Sequence, residues 1–190
     1  MNIKVFSCEF IEKLIGDANH SPRGRMHRNV HSSFKDPCQR FFNSIGIDSY
    51  IQPHRHLLDP KPESLIAVQG LFALITFNES GKINDIVHFG TEKYKGINNI
   101  GIGVELSAGI WHTVISLKDS SVLLEVKAGP FDMAVAKEPA GWAPAEGSSN
   151  AAEYLISLRN IACSKLHLKG NSNEKNHFHL SYNLSQLCLW

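Results

Sequence analysis

SLIAVQGLFALITFNESGKINDIVHF, residues 64–89, decides the fold. Residues 64–68 and 71–77 are apolar runs too short for helices and separated by Gly70; residues 83–89 form a third run. Between the last two lies Asn78-Glu79-Ser80-Gly81-Lys82, a hairpin turn built of the residue types that turns require. Outward from this core the same rhythm continues. Residues 50–56 alternate, and residues 100–106, 110–117 and 122–127 read as strands divided by Ser107-Ala108-Gly109 and Lys118-Asp119-Ser120-Ser121. At least seven short strands with regular turns over residues 48–127 predict an antiparallel sandwich or barrel. Alternation predicts that Leu65, Ala67, Leu74, Val114 and Leu124 are buried. Residues 8–18 predict a short amphipathic helix, with Ser7 as N-cap and Gly16 as end signal, and residues 151–163 a second helix. The chain then divides into an N-terminal helix and Arg-rich segment packed on the barrel (1–47), the barrel (48–131), and a C-terminal extension with a helix and a polar tail (132–190). A strand is expected at 177–182 in that tail.

Composition narrows the class of function. Leu, Ile, Val and Phe make up 54 of 190 residues, enough for a core. Nineteen Lys and Arg against 18 Asp and Glu leave a formal net charge of +1, which argues against a nucleic-acid binder. No apolar run approaches a bilayer span, and Glu9 and Glu12 interrupt the N-terminus where a signal peptide needs apolar residues. Cys8, Cys38, Cys163 and Cys188 are widely spaced, as expected of reduced thiols in a cytoplasmic protein.

Of ten histidines, three have a spacing that suits a metal. On a strand, residues i and i+2 share a face, so His54 and His56 present two imidazoles to one point. Glu63 at the start of the next strand adds a carboxylate, and His112 at the start of a later strand completes a three-nitrogen, one-oxygen shell. Such a shell suits one divalent ion of Zn, Fe, Mn, Ni or Cu and leaves open positions. His177-Phe178-His179 repeats the spacing without a carboxylate and reads as surface. Residues 20–40 carry Arg23, Arg25, Arg28, Lys35 and Arg40 against Asp36 alone. Arg23, Arg25, Arg28 and Asn29 are candidates to hold an anionic ligand, since guanidinium forks match phosphate and carboxylate. Tyr50 shares parity with His54 and His56, making it a candidate inward-facing acid/base hydroxyl. Trp142 reads as a core plug, and Glu146 as a rim acid.

The run His54-x-His56-x6-Glu63-x6-Gly70 resembles the first cupin motif, and Gly101-x5-Ser107-x-Gly109-x2-His112 resembles the second. The first usually has three or four residues between the second His and the Glu; here there are six. More narrowly, the chain resembles the WbuC family of cupin-fold metalloproteins. The shared pieces are Arg23-x-Arg25-x2-Arg28-Asn29-x-His31, Gln39-Arg40, Ser49-Tyr50-x2-Pro53-His54-Arg55-His56, Leu123-Leu124-Glu125-Val126-Lys127-x-Gly129-Pro130 and Trp142-Ala143-Pro144-x-Glu146. This resemblance covers about residues 7–155. It implies a mainly β, cupin-type antiparallel double-stranded β-helix (jelly-roll barrel) with flanking N- and C-terminal helices. It also implies one bound divalent metal and a sugar or sugar-nucleotide ligand from bacterial surface polysaccharide (O-antigen) synthesis. Isomerase or epimerase chemistry would follow, with His31, Tyr50 or Glu63 moving protons. An Fe(II) dioxygenase and a non-enzymatic metal- or sugar-binding module are the alternatives, because this barrel hosts all three. A homodimer is the expected assembly.

Overall fold

The computed structural model describes residues 3–94 and 100–168, the last two by backbone alone. The elements follow in the order α1 (Cys8–Asn19), β1 (Arg25–Asn29), β2 (Cys38–Ile45), β3 (His54–Arg55), β4 (Glu63–Gln69), β5 (Leu71–Phe77), β6 (Ile83–Gly90), β7 (Gly103–Leu106), β8 (Trp111–Ser116), β9 (Ser121–Ala128), β10 (Glu138–Pro139) and α2 (Ala151–Leu168). Two five-stranded sheets result, ordered β1-β2-β9-β4-β7 and β10-β3-β8-β5-β6, with antiparallel strand pairs throughout. This is the double-stranded β-helix with flanking helices that the family resemblance implies, where the strand rhythm by itself predicts a sandwich or barrel.

The inner faces meet over Ile45, Leu65, Phe72, Leu74, Phe89, Leu106, Val114 and Leu123. Alternation in β4, β5 and β8 delivers Leu65, Leu74 and Val114 there, while Ala67 packs at the edge of the same cluster, partly buried. Strand β9 departs from the expected parity. Leu123 faces inward and is 1 % exposed, whereas Leu124 lies on the outer face beneath α1. Both faces of β9 are covered, so its apolar pattern is nearly continuous and does not reveal which side is inner.

Helix α1 starts where Ser7 accepts a hydrogen bond from Phe10 N–H. It buries Ile11, Leu14 and Ala18, the first two against Phe42 and Val122. It runs past Gly16, whose carbonyl accepts from His20 N–H at the C-terminus. Helix α2 buries Ala151, Leu155, Leu158 and Ala162 against the outer face of the second sheet. Trp142 joins that cluster beside Phe77 and Trp111, as the plug reading expects.

Residues 25–45, expected in a segment packed on the barrel, supply two strands of the first sheet, and β2 pairs with β9 along its whole length. Conversely, of residues 50–56 only His54 and Arg55 are strand. Gly70 makes the β4–β5 junction with φ +85°, and a Cβ there would sit 2.1 Å from Ser121 Oγ. No helix among the described residues is long and apolar enough to cross a membrane. Cys8 and Cys38 are free thiols. Cys188, His177, His179 and the strand expected at 177–182 lie outside the described residues.

Candidate metal centre

Strand β3 is short but held from both sides. His54 pairs with His112 of β8 and with Pro139 of β10. Arg55, facing the opposite way, lies 4.3 Å over the Trp111 ring and bonds Glu138 and Glu79. His54 and His56 therefore turn inward together, and the turn at Gly109 (φ +79°) delivers His112 to meet them. The ring centroids of His54 and His112 are 4.5 Å apart, those of His54 and His56 5.2 Å, and those of His56 and His112 5.6 Å. One ligand nitrogen from each lies within 4.8 Å of the others, so the three could hold a metal ion.

Hydrogen bonds orient each ring. Nδ1 of His54 faces Gln52 O at 3.0 Å, Nδ1 of His112 faces Ile110 O at 2.9 Å, and Nδ1 of His56 faces Ala136 O. A backbone carbonyl can only accept, so each Nδ1 carries the proton and each Nε2 presents a lone pair inward. This is the arrangement in which a histidine ligand is held by its second nitrogen.

Glu63 is 4 % exposed. Its Oε2 lies 3.1 Å from His56 Nε2 and 3.5 Å from His112 Nε2. Yet His56 Nε2, fully buried, makes no hydrogen bond. With Nδ1 protonated, Nε2 and Oε2 are two acceptors facing each other, an arrangement a cation between them resolves. The residues thus fit a divalent ion, with Glu63 as the fourth donor. A proton competes for the same place: burial lowers the His56 pKa, but the Glu63 carboxylate more than offsets this and raises it. Burial and the nearby His112 hold His54 well below its ordinary value.

Two polar residues that the sequence reading passed over complete the floor. Lys127 stands directly opposite Glu63 in the β4–β9 register, its Nζ 2.8 Å from Glu63 Oε1 and 3.2 Å from Glu125 Oε1. Burial pushes the Glu125 carboxyl up to about 8, with the Glu63 charge adding to it and Lys127 opposing. Burial also raises the pKa of Glu63, but hydrogen bonds from the His112 and His56 rings when a proton occupies the site, and the Lys127 charge, outweigh it, so Glu63 is held ionised. The signal in the sequence was Glu125-x-Lys127, two polar residues on one face of an otherwise apolar strand.

Above this floor a cavity of about 580 Å³ opens between the sheets, lined by the three histidines, Glu63, Glu125, Lys127 and Lys137 and by Arg23, Arg25, Asn29 and His31. Its volume is that of a small-molecule site. Arg23 and Arg25 are already engaged. Arg23 Nε lies 2.5 Å and Arg25 Nη2 2.6 Å from Glu146, and Arg25 also donates to Tyr50 O. Arg28 is not at the mouth. Strand alternation turns it to the outer face, where it pairs with Asp17 of α1 at 2.5 Å and lies over Phe10. Tyr50 also stands apart: its parity does not carry into β3, because residues 48–53 are not strand. It is buried under α2, its hydroxyl donating to Pro144 O and its ring edge-on to Tyr154, with burial raising its pKa. Lys137 lines the mouth and makes no close ion pair with any described residue.

A family model described as "Domain of unknown function (DUF6016)" matches residues 6–89, from α1 to β6. That span is less than half of the chain; it includes His54, His56 and Glu63 but not His112. No curated protein matches. Among solved structures, the chain is similar to a protein from Shewanella oneidensis, at 10 % identity over 80 % of this chain and 93 % of that one, with TM-score 0.51. It is also similar to an uncharacterized conserved protein with a double-stranded β-helix domain from Klebsiella pneumoniae, at 11 % identity over 73 % and 98 % of the two chains, TM-score 0.49. A third is KdgF from Halomonas sp., at 13 % identity over 60 % and 85 %, TM-score 0.43. At such identities the likeness is one of fold alone, a cupin-type double-stranded β-helix; the three-histidine group that could hold a metal is seen in this chain.

Proposed function

We propose that this chain holds one divalent metal on His54, His56, His112 and Glu63 and acts in the cytoplasm on a sugar or sugar-nucleotide, as an isomerase or epimerase of bacterial surface polysaccharide (O-antigen) synthesis. The observation that carries the metal reading is the tautomer lock: three Nδ1–H groups committed to backbone carbonyls, three Nε2 atoms aimed at one point beside a buried carboxylate. The choice of substrate rests on the sequence resemblance to the WbuC family and on the size of the cavity. A bound divalent ion would supply Lewis-acid polarisation of a substrate carbonyl or hydroxyl.

The chain's own residues do the remainder. Lys127 keeps Glu63 ionised and correctly turned as a ligand. Glu125, on the cavity wall one inward position along from Lys127, is placed to exchange a proton with a bound substrate. Lys137 at the mouth offers a cation to an anionic group of the ligand. The apolar lining of Leu65, Val114 and Leu123 limits water around the reacting atoms.

The test is reconstitution with zinc, manganese or iron, followed by a screen of nucleotide-sugars by thermal shift and by NMR for isomer formation. Ligand-dependent stabilisation with isomer formation on zinc or manganese supports the reading. Oxygen consumption on iron alone would replace it with a dioxygenase, and metal binding with no ligand response would leave a binding module.

A further inference from the structure

The cavity wall at the β1 edge of the first sheet has a chemistry of its own. Strand β1 and the residue two beyond it place His27, Asn29 and His31 at alternate positions facing the cavity, and Asn43 of β2 stands directly opposite His27. The side chains of His27, Asn29 and Asn43 make no hydrogen bond to any described residue. His31 is 9 % exposed, and its Nε2 is buried without a hydrogen-bond partner. Its Nδ1 lies 2.8 Å from Arg40 O and 3.0 Å from Arg40 N. The Arg40 backbone therefore engages Nδ1 in either tautomer, as acceptor from it or donor to it. That leaves Nε2 as a buried polar atom in want of a partner.

Aromatic rings alternate with these polar groups. Phe41 lies edge-on to His27 at 5.7 Å, and Phe34 stands between His31 and Phe131, with centroid distances of 6.2 and 5.2 Å. This wall is built without Lys, Arg, Asp or Glu side chains, and Lys127 of the floor lies 5.9 Å from the Phe41 ring centroid. Arg23 and Arg25 are both engaged by the one carboxylate of Glu146, Arg28 faces away, and burial together with the Arg23 and Arg25 charges lowers the His27 pKa and favours its neutral form. A phosphate needs free cationic forks. A sugar ring needs neutral groups that both donate and accept, set among apolar faces for its C–H surfaces.

We propose that this wall, formed by His27, Asn29, His31 and Asn43 with Phe34 and Phe41, is the subsite for a neutral polyhydroxylated ring of the ligand rather than for a phosphate. The inference deepens the sugar reading above. Three strand spacings separate β1 from the Glu63 strand, about 14 Å between backbones. A ligand touching both ends is therefore elongated: an oxygen-bearing head at the metal and Lys137, and a neutral sugar ring at the wall.

The experiment is an NMR titration of zinc-loaded, 15N-labelled protein, following the Asn29 and Asn43 side-chain amides and the His31 ring nitrogens. The probes are maltose, lactose, sucrose and methyl glucoside, with pyrophosphate as the anionic comparison. At least one neutral sugar is expected to shift all three sets of signals, with an affinity indifferent to salt. An Asn29→Leu, Asn43→Leu double variant, which keeps β1, β2 and the metal ligands, should bind that sugar roughly ten- to a hundredfold more weakly with unchanged zinc content. Pyrophosphate shifting these signals, or no sugar doing so well above millimolar concentration, would overturn the proposal. Sugar shifts that persist in protein unable to retain zinc would support the wall and reject the metal reading, so the two failures are distinguishable.

Discussion

Replacing Glu146 by Ala tests whether the N-terminal arginines are structural. Glu146 accepts from Arg23 Nε and Nη2 and from Arg25 Nη2, tying the entry to β1 to the loop before α2. The two ties are unequal. The Arg23 side chain is 57 % exposed, so its pair contributes about 0–1 kcal/mol. Arg25 is 9 % exposed, and losing its charge-assisted bond costs about 1.5–3 kcal/mol, even though Tyr50 O and Ser49 Oγ remain as acceptors. The sum is about 1.5–4 kcal/mol, which for a domain of this size lowers Tm by roughly 3–16 °C. The effect has a defined pH dependence. Burial raises the Glu146 carboxyl, but the hydrogen bonds from Arg23 and Arg25 outweigh it and hold it below its ordinary value of 4.5. A depressed carboxylate stabilises fully above its ordinary pKa and loses that contribution as pH falls through the folded value. Thermal melts of wild type and Glu146→Ala should therefore differ most near neutral pH and converge as pH falls below about 4.5. A variant melting within about 1 °C of wild type at neutral pH would refute the reasoning and free both arginines for ligand binding.

Other outcomes follow from the same geometry. Arg28→Ala should cost no more than about 1 kcal/mol in urea denaturation and leave ligand binding and metal content unchanged, because its pair with Asp17 is half-exposed on the outer face. Lys127→Met should destabilise the metal-free protein by roughly 3–5 kcal/mol, since it leaves Glu63 and Glu125 without their shared cation; added zinc should restore part of the loss in a thermal melt. Leu14→Ala, at a fully buried position under α1, should cost about 2–5 kcal/mol by denaturant titration with metal content intact.

The histidines were legible because their spacing is itself geometric: i and i+2 on a strand share a face, and the two motifs bring distant strands together. The strands of residues 64–128 were legible because Gly70, the hairpin at 78–82 and the turn at 107–109 break apolar runs of strand length. Strands β1 and β2 were not. Phe41 and Phe42 are adjacent and both apolar, one facing the cavity and the other lying under α1, so β2 lacks the alternation of a strand exposed on one side. For the same reason Leu123 and Leu124 concealed the parity of β9, and with it the inward direction of Glu125 and Lys127. Tyr50 shows the opposite limit: parity holds only along continuous strand, and residues 48–53 bend. Arg28 was grouped with Arg23 and Arg25 by proximity in sequence, whereas a strand sends odd and even neighbours to opposite faces.

The most direct test of the central claim is elemental analysis of protein equilibrated with zinc and then freed of excess ion, comparing wild type with His56→Ala and with the His54→Ala, His56→Ala double variant. Each variant should retain its barrel by circular dichroism, because a core of this size does not depend on one ion for folding. Wild type should carry close to one zinc per chain, His56→Ala far less, and the double variant none. A wild-type protein that retains no divalent ion, or a folded double variant that retains it in full, would contradict a metal centre built on His54, His56, His112 and Glu63.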